Sequence, residues 1–257
     1  MGKIIAVSNQ KGGVGKTTTS VNLAACVADA GKRVLLIDID PQGNASSGLG
    51  QQAEEGLSVY EVIIGELAAE KAIVNTDFGS LDVLPSSIEL AGAEIELVAM
   101  PGREMLLRDA LAPIKERYDY IFIDCPPSLS LLTLNAMTAA DSVLIPIQCE
   151  YYALEGVGQL MNTLQLVRKR LNPELAIEGV VLTMLDGRTN LGLQVVQEVK
   201  KYFKGRVYGS IIPRNVRLSE APSHGKPIHV YDSRSTGANA YRELAAEFIE
   251  WNEDNEE

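Results

Sequence analysis

Short apolar, largely β-branched runs alternate along the chain with longer segments whose apolar positions recur at helical spacing. The runs predict strands at residues 3–8, 34–37, 81–84, 120–123, 142–147, 177–182 and 209–212. The helical spacings predict helices at residues 17–30, 103–117, 131–139, 155–170, 191–203 and 238–251. Strands that are apolar throughout are buried on both faces, and parallel neighbours need a crossover helix between them. The pattern therefore predicts an α/β fold, a doubly wound, mostly parallel sheet with helices on both faces. No linker-like stretch or internal repeat breaks the alternation. All of residues 1–257 is expected to form a single domain, with an acidic tail at about 250–257.

Composition narrows the class. At 46% hydrophobic and 22% charged residues, the chain has the apolar mass for a core and no signature of disorder. Runs such as Val143-Leu144-Ile145-Pro146-Ile147 are far shorter than the ~20 apolar residues that cross a bilayer, and the N-terminal stretch lacks the form of a signal peptide. A cytoplasmic protein without a membrane partner is expected. Cys26, Cys125 and Cys149 have no paired spacing, and with His224 and His229 they complete no zinc pattern, so they read as buried, reduced thiols. The net charge of −11 is unevenly spread. Residues 187–217 hold seven basic side chains, Arg188, Lys200, Lys201, Lys204, Arg206, Arg214 and Arg217, against the single acid Glu198. The last fifteen residues hold seven acids and no base, so an acidic tail masks a basic middle.

The candidate chemistry lies where the first strand meets the first helix. Gln10-Lys11-Gly12-Gly13-Val14-Gly15-Lys16-Thr17-Thr18 is a glycine-rich loop at a strand-to-helix junction, where backbone N–H groups surround phosphates. Its glycines permit a tight turn and close approach. Lys16 would reach the β- and γ-phosphates of ATP, and Thr17 would hold Mg2+. The plain alternative, a chance glycine turn, does not require a strand before it and a helix after it. Phosphoryl transfer also needs acids. Asp124 closes a strand ahead of Cys125-Pro126-Pro127, in position to orient the Mg2+ shell, while Asp38 and Asp40 end the second strand. Any one of these acids, taken alone, could equally be a turn cap.

The loop departs from the standard phosphate-loop pattern, because Gln10 stands at its first glycine position and a second lysine, Lys11, stands at its start. This K-G-G-x-G-K-T form resembles the deviant Walker A box of the ATPases that include ParA and Soj partition proteins, MinD, the nitrogenase iron protein and the arsenite-pump ATPase. The resemblance extends over nearly the whole chain. Ile37-Asp38-Ile39-Asp40-Pro41-Gln42-Gly43-Asn44, Asp124-Cys125-Pro126-Pro127-Ser128, the segment from Gln148 to Gly156, Ile212-Pro213-Arg214-Asn215 and Ser219-Glu220-Ala221-Pro222 are similar to the short, chromosomal ParA/Soj group. It implies a P-loop ATPase that forms a homodimer with ATP. Lys11, Gly12, Gly13, Val14, Gly15, Lys16, Thr17 and Thr18 would hold the nucleotide, with Lys11 reaching across to the partner's phosphates. Asp40 would position the attacking water and join Thr17 and Asp124 at Mg2+. Pro213 and Asn215 would meet the adenine, and Asp38 would be structural. Other branches of the family fit less well. No cysteine is placed to bridge a metal cluster, the C-terminal helix is too acidic for an anionic membrane, and only Tyr231 and Tyr241 lie late enough for a tyrosine cluster.

Two functions follow. The resemblance implies a chromosome-partition ATPase whose ATP-bound dimer binds double-stranded DNA without sequence preference and releases it when a ParB-like partner stimulates hydrolysis. That would place it on the nucleoid. Arg188, Lys200, Lys201, Lys204 and Arg217 are the candidate DNA contacts: Lys200 and Lys204 stand four apart on a predicted helix, which Arg188 and Arg217 flank. The competing function is ATP-driven positioning of a protein cargo or membrane-associated cluster, the basic stretch being a solvated face. A solvated face usually mixes in acids, and this one hardly does. Larger plasmid members carry a helix-turn-helix extension; here the first predicted strand begins at Lys3, and operator-specific repression is not expected.

Overall fold

The structure, a computed structural model, describes residues 2–150, 153–186 and 190–254. Among these, eight strands form one sheet: β1 (Lys3–Val7), β2 (Val34–Asp38), β3 (Val74–Asn75), β4 (Leu81–Leu84), β5 (Tyr120–Asp124), β6 (Ser142–Gln148), β7 (Ala176–Leu185) and β8 (Val207–Pro213). Their spatial order is β3-β4-β2-β5-β1-β6-β7-β8, parallel throughout except between β3 and β4. The seven longer strands are those expected from the apolar runs. The two residues of β3 are too few to carry a period.

Among the described residues, twelve helices surround the sheet: α1 (Lys16–Asp29), α2 (Asn44–Gly48), α3 (Val59–Ile63), α4 (Ala69–Ala72), α5 (Leu90–Leu97), α6 (Leu106–Leu111), α7 (Leu131–Ala139), α8 (Ala153–Arg170), α9 (Asn190–Phe203), α10 (Val216–Glu220), α11 (Ile228–Tyr231) and α12 (Thr236–Glu253). Alternate strand residues feed two cores. Ile4, Ala6, Leu35, Ile37, Ile121 and Ile123 face one, while Ile5, Val7, Val34, Leu36 and Phe122 face the other. Both faces are thus buried, which is why no strand shows polar alternation. No helix among the described residues is long and apolar enough to cross a membrane.

Three predicted boundaries are corrected. The helix expected at 103–117 is only α6, followed by a 3-10 turn at Lys115–Arg117, because Pro113 has no N–H with which to continue the helical hydrogen bonds. Lys204 is not on the helix with Lys200: α9 ends at Phe203, and Lys204 takes a positive φ of 26°. The tail expected from residue 250 is still helical through Glu253, since α12 starts earlier and ends later than its apolar spacing suggests. Its start is set by Ser235, whose hydroxyl accepts from the Ala238 N–H (3.1 Å). The short helices between residues 44 and 97 escaped prediction, although the capping box of α3, Ser58 with Glu61, is written in the sequence.

At the end of the sheet where the parallel strands begin, polar contacts close the fold. Glu178 on β7 is buried and accepts from Lys3 Nζ (2.6 Å), Ser142 Oγ (2.6 Å) and Asn252 Nδ2 (2.8 Å), tying β1, β6 and α12 to β7. Beside it the Tyr208 and Trp251 rings lie 4.4 Å apart over Gly179. A Cβ on Gly179 would stand 2.6 Å from the Tyr208 ring and 3.1 Å from Trp251. Gly179→Ala is therefore expected to destabilise the chain by about 1–3 kcal/mol, the usual range for overpacking, as read by urea unfolding. A variant as stable as the parent would mean that the rings shift freely.

Candidate active site

β1 delivers the chain to a loop at the carboxyl end of the strands, and α1 carries it away. Gly13 (φ 73°) and Gly15 (φ 87°) occupy the left-handed region that favours glycine. Gly15 is the N-cap of α1 and offers no side chain, and no acid lies in the first turn. The helix start is left open to an anion. Three bonds hold the loop in place: Thr183 Oγ1 donates to the Val14 carbonyl (2.8 Å), Asn9 Nδ2 to the Pro146 carbonyl (2.8 Å), and Gln10 Nε2 to Thr163 Oγ1 on α8 (2.9 Å). The last gives Gln10 its reason, for a glycine at that position could not reach α8.

Lys16 is buried, and its Nζ donates to the Lys11 carbonyl (3.1 Å). Burial lowers its pKa, while Asp124, Cys125 and Asp40 act in the opposite direction. Thr17 Oγ1 donates to Asp124 Oδ2 (2.8 Å) and Ser20 Oγ to Asp124 Oδ1 (2.7 Å), so both carboxylate oxygens engage α1. The Lys11 backbone is engaged, its N–H by Asn9 Oδ1 (3.1 Å) and its carbonyl by Lys16 Nζ, while its side chain makes no hydrogen bond or ion pair among the described residues; a Cβ on Gly12 would meet nothing within 4 Å.

β2 and β5 are in register at Asp38 and Asp124, which places two buried acids on neighbouring strands. Burial raises the pKa of each. The charge of Asp38 raises Asp124 further, and that of Asp40 raises Asp38. Asp38 is committed to the following loop, accepting from the N–H (2.8 Å) and hydroxyl (2.8 Å) of Ser46 and the N–H of Asp40 (3.2 Å). Asp40 Oδ1 accepts from the Gln42 N–H (3.0 Å), and its carbonyl accepts from Ser86 Oγ (2.7 Å). Asp40 Oδ2 keeps a free acceptor among the described residues. Among the same residues no group of three or more His, Cys, Asp or Glu forms a metal cage. In phosphoryl-transfer sites Mg2+ takes one or two side chains and fills its shell with phosphate and water, a demand that Thr17 and the free acceptor of Asp40 can meet. A divalent cation would also neutralise the buried negative charge beside Asp124.

Next to the loop lies a cavity of about 280 Å3 whose walls include Gly15, Thr18, Ile212, Pro213, Asn215 and Tyr241. Its largely apolar lining and its contact with the phosphate loop suit a purine base. Asn215 also caps α10, with Oδ1 accepting from the Leu218 N–H (3.3 Å) and Nδ2 donating to Thr236 Oγ1 (2.6 Å). Sequence reasoning missed Ser46 and Ser86, which hold the Asp38–Asp40 loop, and Tyr241, whose helix is distant in sequence. Ser86 alone left a trace, as a polar residue just past the end of a predicted strand. The thiols are buried as expected, and burial pushes Cys26 up to about 12 and Cys149 up to about 11.

The candidate DNA contacts do not form one patch. α9 runs from the carboxyl end of β7 back to the start of β8, so its 14 residues span roughly 20 Å. Lys200, Lys201 and Lys204 lie at its far end, away from the phosphate loop, whereas Arg217 follows β8 on the nucleotide side. Lys201 pairs with Glu198 (2.6 Å), and Arg217 pairs with Glu220 (2.8 Å) and Asp232 (3.5 Å). Arg188, Tyr151 and Tyr152 lie outside the described residues.

The family described as "AAA domain" matches residues 2–177. The chain is 64% identical to the sporulation initiation inhibitor protein Soj of Bacillus subtilis, over 96% of this chain and 98% of that protein. This chain belongs to the Soj/ParA family of chromosome-partitioning ATPases. It is also 51% identical to the chromosome-partitioning ATPase Soj of Treponema pallidum, over 97% of this chain and 98% of that one. Among solved structures, a Mycobacterium smegmatis protein named cobyrinic acid a,c-diamide synthase, with bound ADP and magnesium, superposes with a TM-score of 0.83 at 41% identity, covering 96% of this chain and 93% of that one.

The buried acids make stability depend on pH. A carboxyl that binds its proton more tightly when folded stabilises the fold below its unfolded pKa, and that stability is lost as pH rises through the raised folded value. Each tenfold change in proton affinity is worth about 1.4 kcal/mol. The melting temperature of the nucleotide- and Mg2+-free chain is therefore expected to fall by at least roughly 2–4 °C between pH 5 and 8. Asp124→Asn should flatten that fall. Parallel curves for the two proteins would clear the acid pair of responsibility.

Proposed function

We infer that this chain is an ATP-dependent chromosome-partitioning ATPase with ATP and Mg2+ as its cofactors. Family membership carries the partitioning role. The chemistry rests on one observation: the Thr17 hydroxyl is already held by Asp124 at the uncapped start of α1, where β- and γ-phosphates and Mg2+ meet in phosphate-loop ATPases. Magnesium and ADP in the similar M. smegmatis protein support the same reading. Mg2+ supplies charge neutralisation at the phosphates when bound. Thr17 and Asp40 would contribute ligands, with Asp124 fixing the Thr17 hydroxyl. Lys16, drawn off the Lys11 carbonyl, would meet the β/γ-phosphates, and Gly12–Thr18 would surround them. The free acceptor of Asp40 would orient the attacking water. Pro213 and Asn215 would border the adenine.

We read residues 1–257 as one ATPase domain with an acidic C-terminal tail, a reading that the single sheet supports. The Lys11 side chain, without a partner among the described residues, and the open space at Gly12 favour a homodimer closed over two ATP molecules. In it, Lys11 would reach the partner's nucleotide. DNA would bind that dimer without sequence preference through Arg188 and Arg217, the latter on the nucleotide side of the sheet, and a ParB-like partner would stimulate hydrolysis and release. The protein would then be cytoplasmic and nucleoid-associated.

Two substitutions separate chemistry from assembly. Asp40→Ala is expected to bind ATP, lose hydrolysis by about a hundredfold or more, and accumulate dimers. Gly12→Val should fold normally, because nothing in the monomer opposes its side chain, yet stay monomeric with ATP in sedimentation. A Gly12→Val protein that dimerises at full strength would refute the closed dimer.

For DNA, ATP-bound protein is expected on random duplex at low salt and not at high salt, since each phosphate contact releases counterions. Exchanging Arg188 and Arg217 together for Glu should abolish retention while preserving ATP-dependent dimers. Exchanging Lys200 and Lys204 for Glu should leave it largely intact. The reverse ranking would move the DNA surface to the far end of α9.

A further inference from the structure

The turns and helix around α5 expose Ile88 (69%), Ile95 (81%) and Val98 (57%), although the other side of the same helix buries Leu90, Ala93 and Leu97 in the core. Spacings of seven and three residues place the exposed three along one stripe. Leu129, half exposed, sits on the loop ahead of α7, the helix that packs against α5. Scattered exposed apolar residues are ordinary, but a row of three large β-branched side chains, one on α5 and one in the turn at each of its ends, marks a contact surface. The row is rimmed by Glu89, Glu94 and Glu96, and no basic residue occurs between Lys71 and Arg103.

This surface is wired to the catalytic loop. Ser86, two residues before Ile88, donates its hydroxyl to the Asp40 carbonyl (2.7 Å) and its N–H to Ser46 Oγ (3.1 Å), the hydroxyl that also serves Asp38. Ser87 Oγ lies 2.9 Å from Ser58 Oγ at the cap of α3. The segment leading into α5 is therefore joined to the backbone of Asp40 by one hydrogen bond.

We propose that the α5 stripe is the docking face for a basic, amphipathic helix of the protein that stimulates hydrolysis, and that its seating repositions Asp40 through Ser86. The proposal rests on the reading that such a partner protein acts on this ATPase. The occupant follows from charge. An apolar row inside an acidic rim attracts a helix with apolar anchors flanked by Lys or Arg. The same rim repels an anionic bilayer, and two copies of the stripe would bring like charges together.

ATPase rates of the full chain with ATP, Mg2+ and DNA, titrated with the cognate ParB-like protein, test this. Ile95→Glu, and separately Ile88→Glu, should keep the unstimulated rate and DNA retention, while the half-saturating partner concentration rises at least about tenfold. Leu193→Glu, an exposed apolar position on α9, should titrate like the parent. Ser86→Ala should bind the partner with unchanged affinity and lose most of the stimulation. Wild-type titration curves for both isoleucine variants would overturn the docking face while leaving the partner reading intact. A parent chain that the ParB-like protein does not stimulate would overturn that reading and the proposal with it. Dimers of the parent without nucleotide or partner, abolished by Ile95→Glu, would assign the stripe to a second copy instead.

Discussion

Asp124 is the contact on which the site depends. It is buried at the end of a central strand, with Asp38 beside it on the next strand, and a charge there must be satisfied locally or shed as a proton. The hydroxyls of Thr17 and Ser20 do so from α1, while Ser46 does the same for Asp38 from the following loop. The acids thereby fasten the phosphate-loop helix and the Asp40 loop to the carboxyl end of the central strands. Two buried acids are costly for a fold, and retaining them suits a site that receives a cation.

The remaining site geometry follows from what surrounds that pair. Lys16 is kept in place by burial and by the Lys11 carbonyl, within the field of Asp124 and Asp40, so its ammonium is poised where phosphate charge would arrive. Thr183, Asn9 and Gln10 anchor the phosphate loop to the β6–β7 side. Asp40 is held through its backbone by Ser86 and through one carboxylate oxygen by Gln42, leaving the other oxygen for chemistry. Ser86 thus joins the segment ahead of α5 directly to the Asp40 loop.

Charge is distributed by topology and not by sequence position. The basic stretch that reads as one unit is divided by α9 into a nucleotide-side group and a group at the opposite end of the sheet. Several of its members are also answered by acids: Lys201 by Glu198, Arg217 by Glu220 and Asp232, and Arg214 by Glu150 (3.4 Å). Exposed pairs of this kind are worth little in stability, but they lower the net positive charge a polyanion would meet.

The sequence alone determined the sheet and the phosphate loop, because both are local. Seven apolar strands, their crossover helices and the loop from Gln10 to Thr18 depend on residues adjacent in the chain, where period and glycine geometry act over a few positions. The acids Asp38, Asp40 and Asp124 were legible as strand-end carboxylates for the same reason. Their separate duties came only through the resemblance, since Asp38 and Asp124 differ in the hydroxyls and backbone N–H groups that the tertiary structure folds against them. The helix broken at Pro113 carried its signal in the sequence, as did the Ser58–Glu61 cap. Only the tertiary structure decided that Gln10 grips α8, that Ser86 carries Asp40, that Tyr241 joins the purine cavity and that Lys200 and Arg217 face opposite ends. Those facts depend on which strands become neighbours and on how far a helix carries the chain before it turns back, distances that no local pattern encodes.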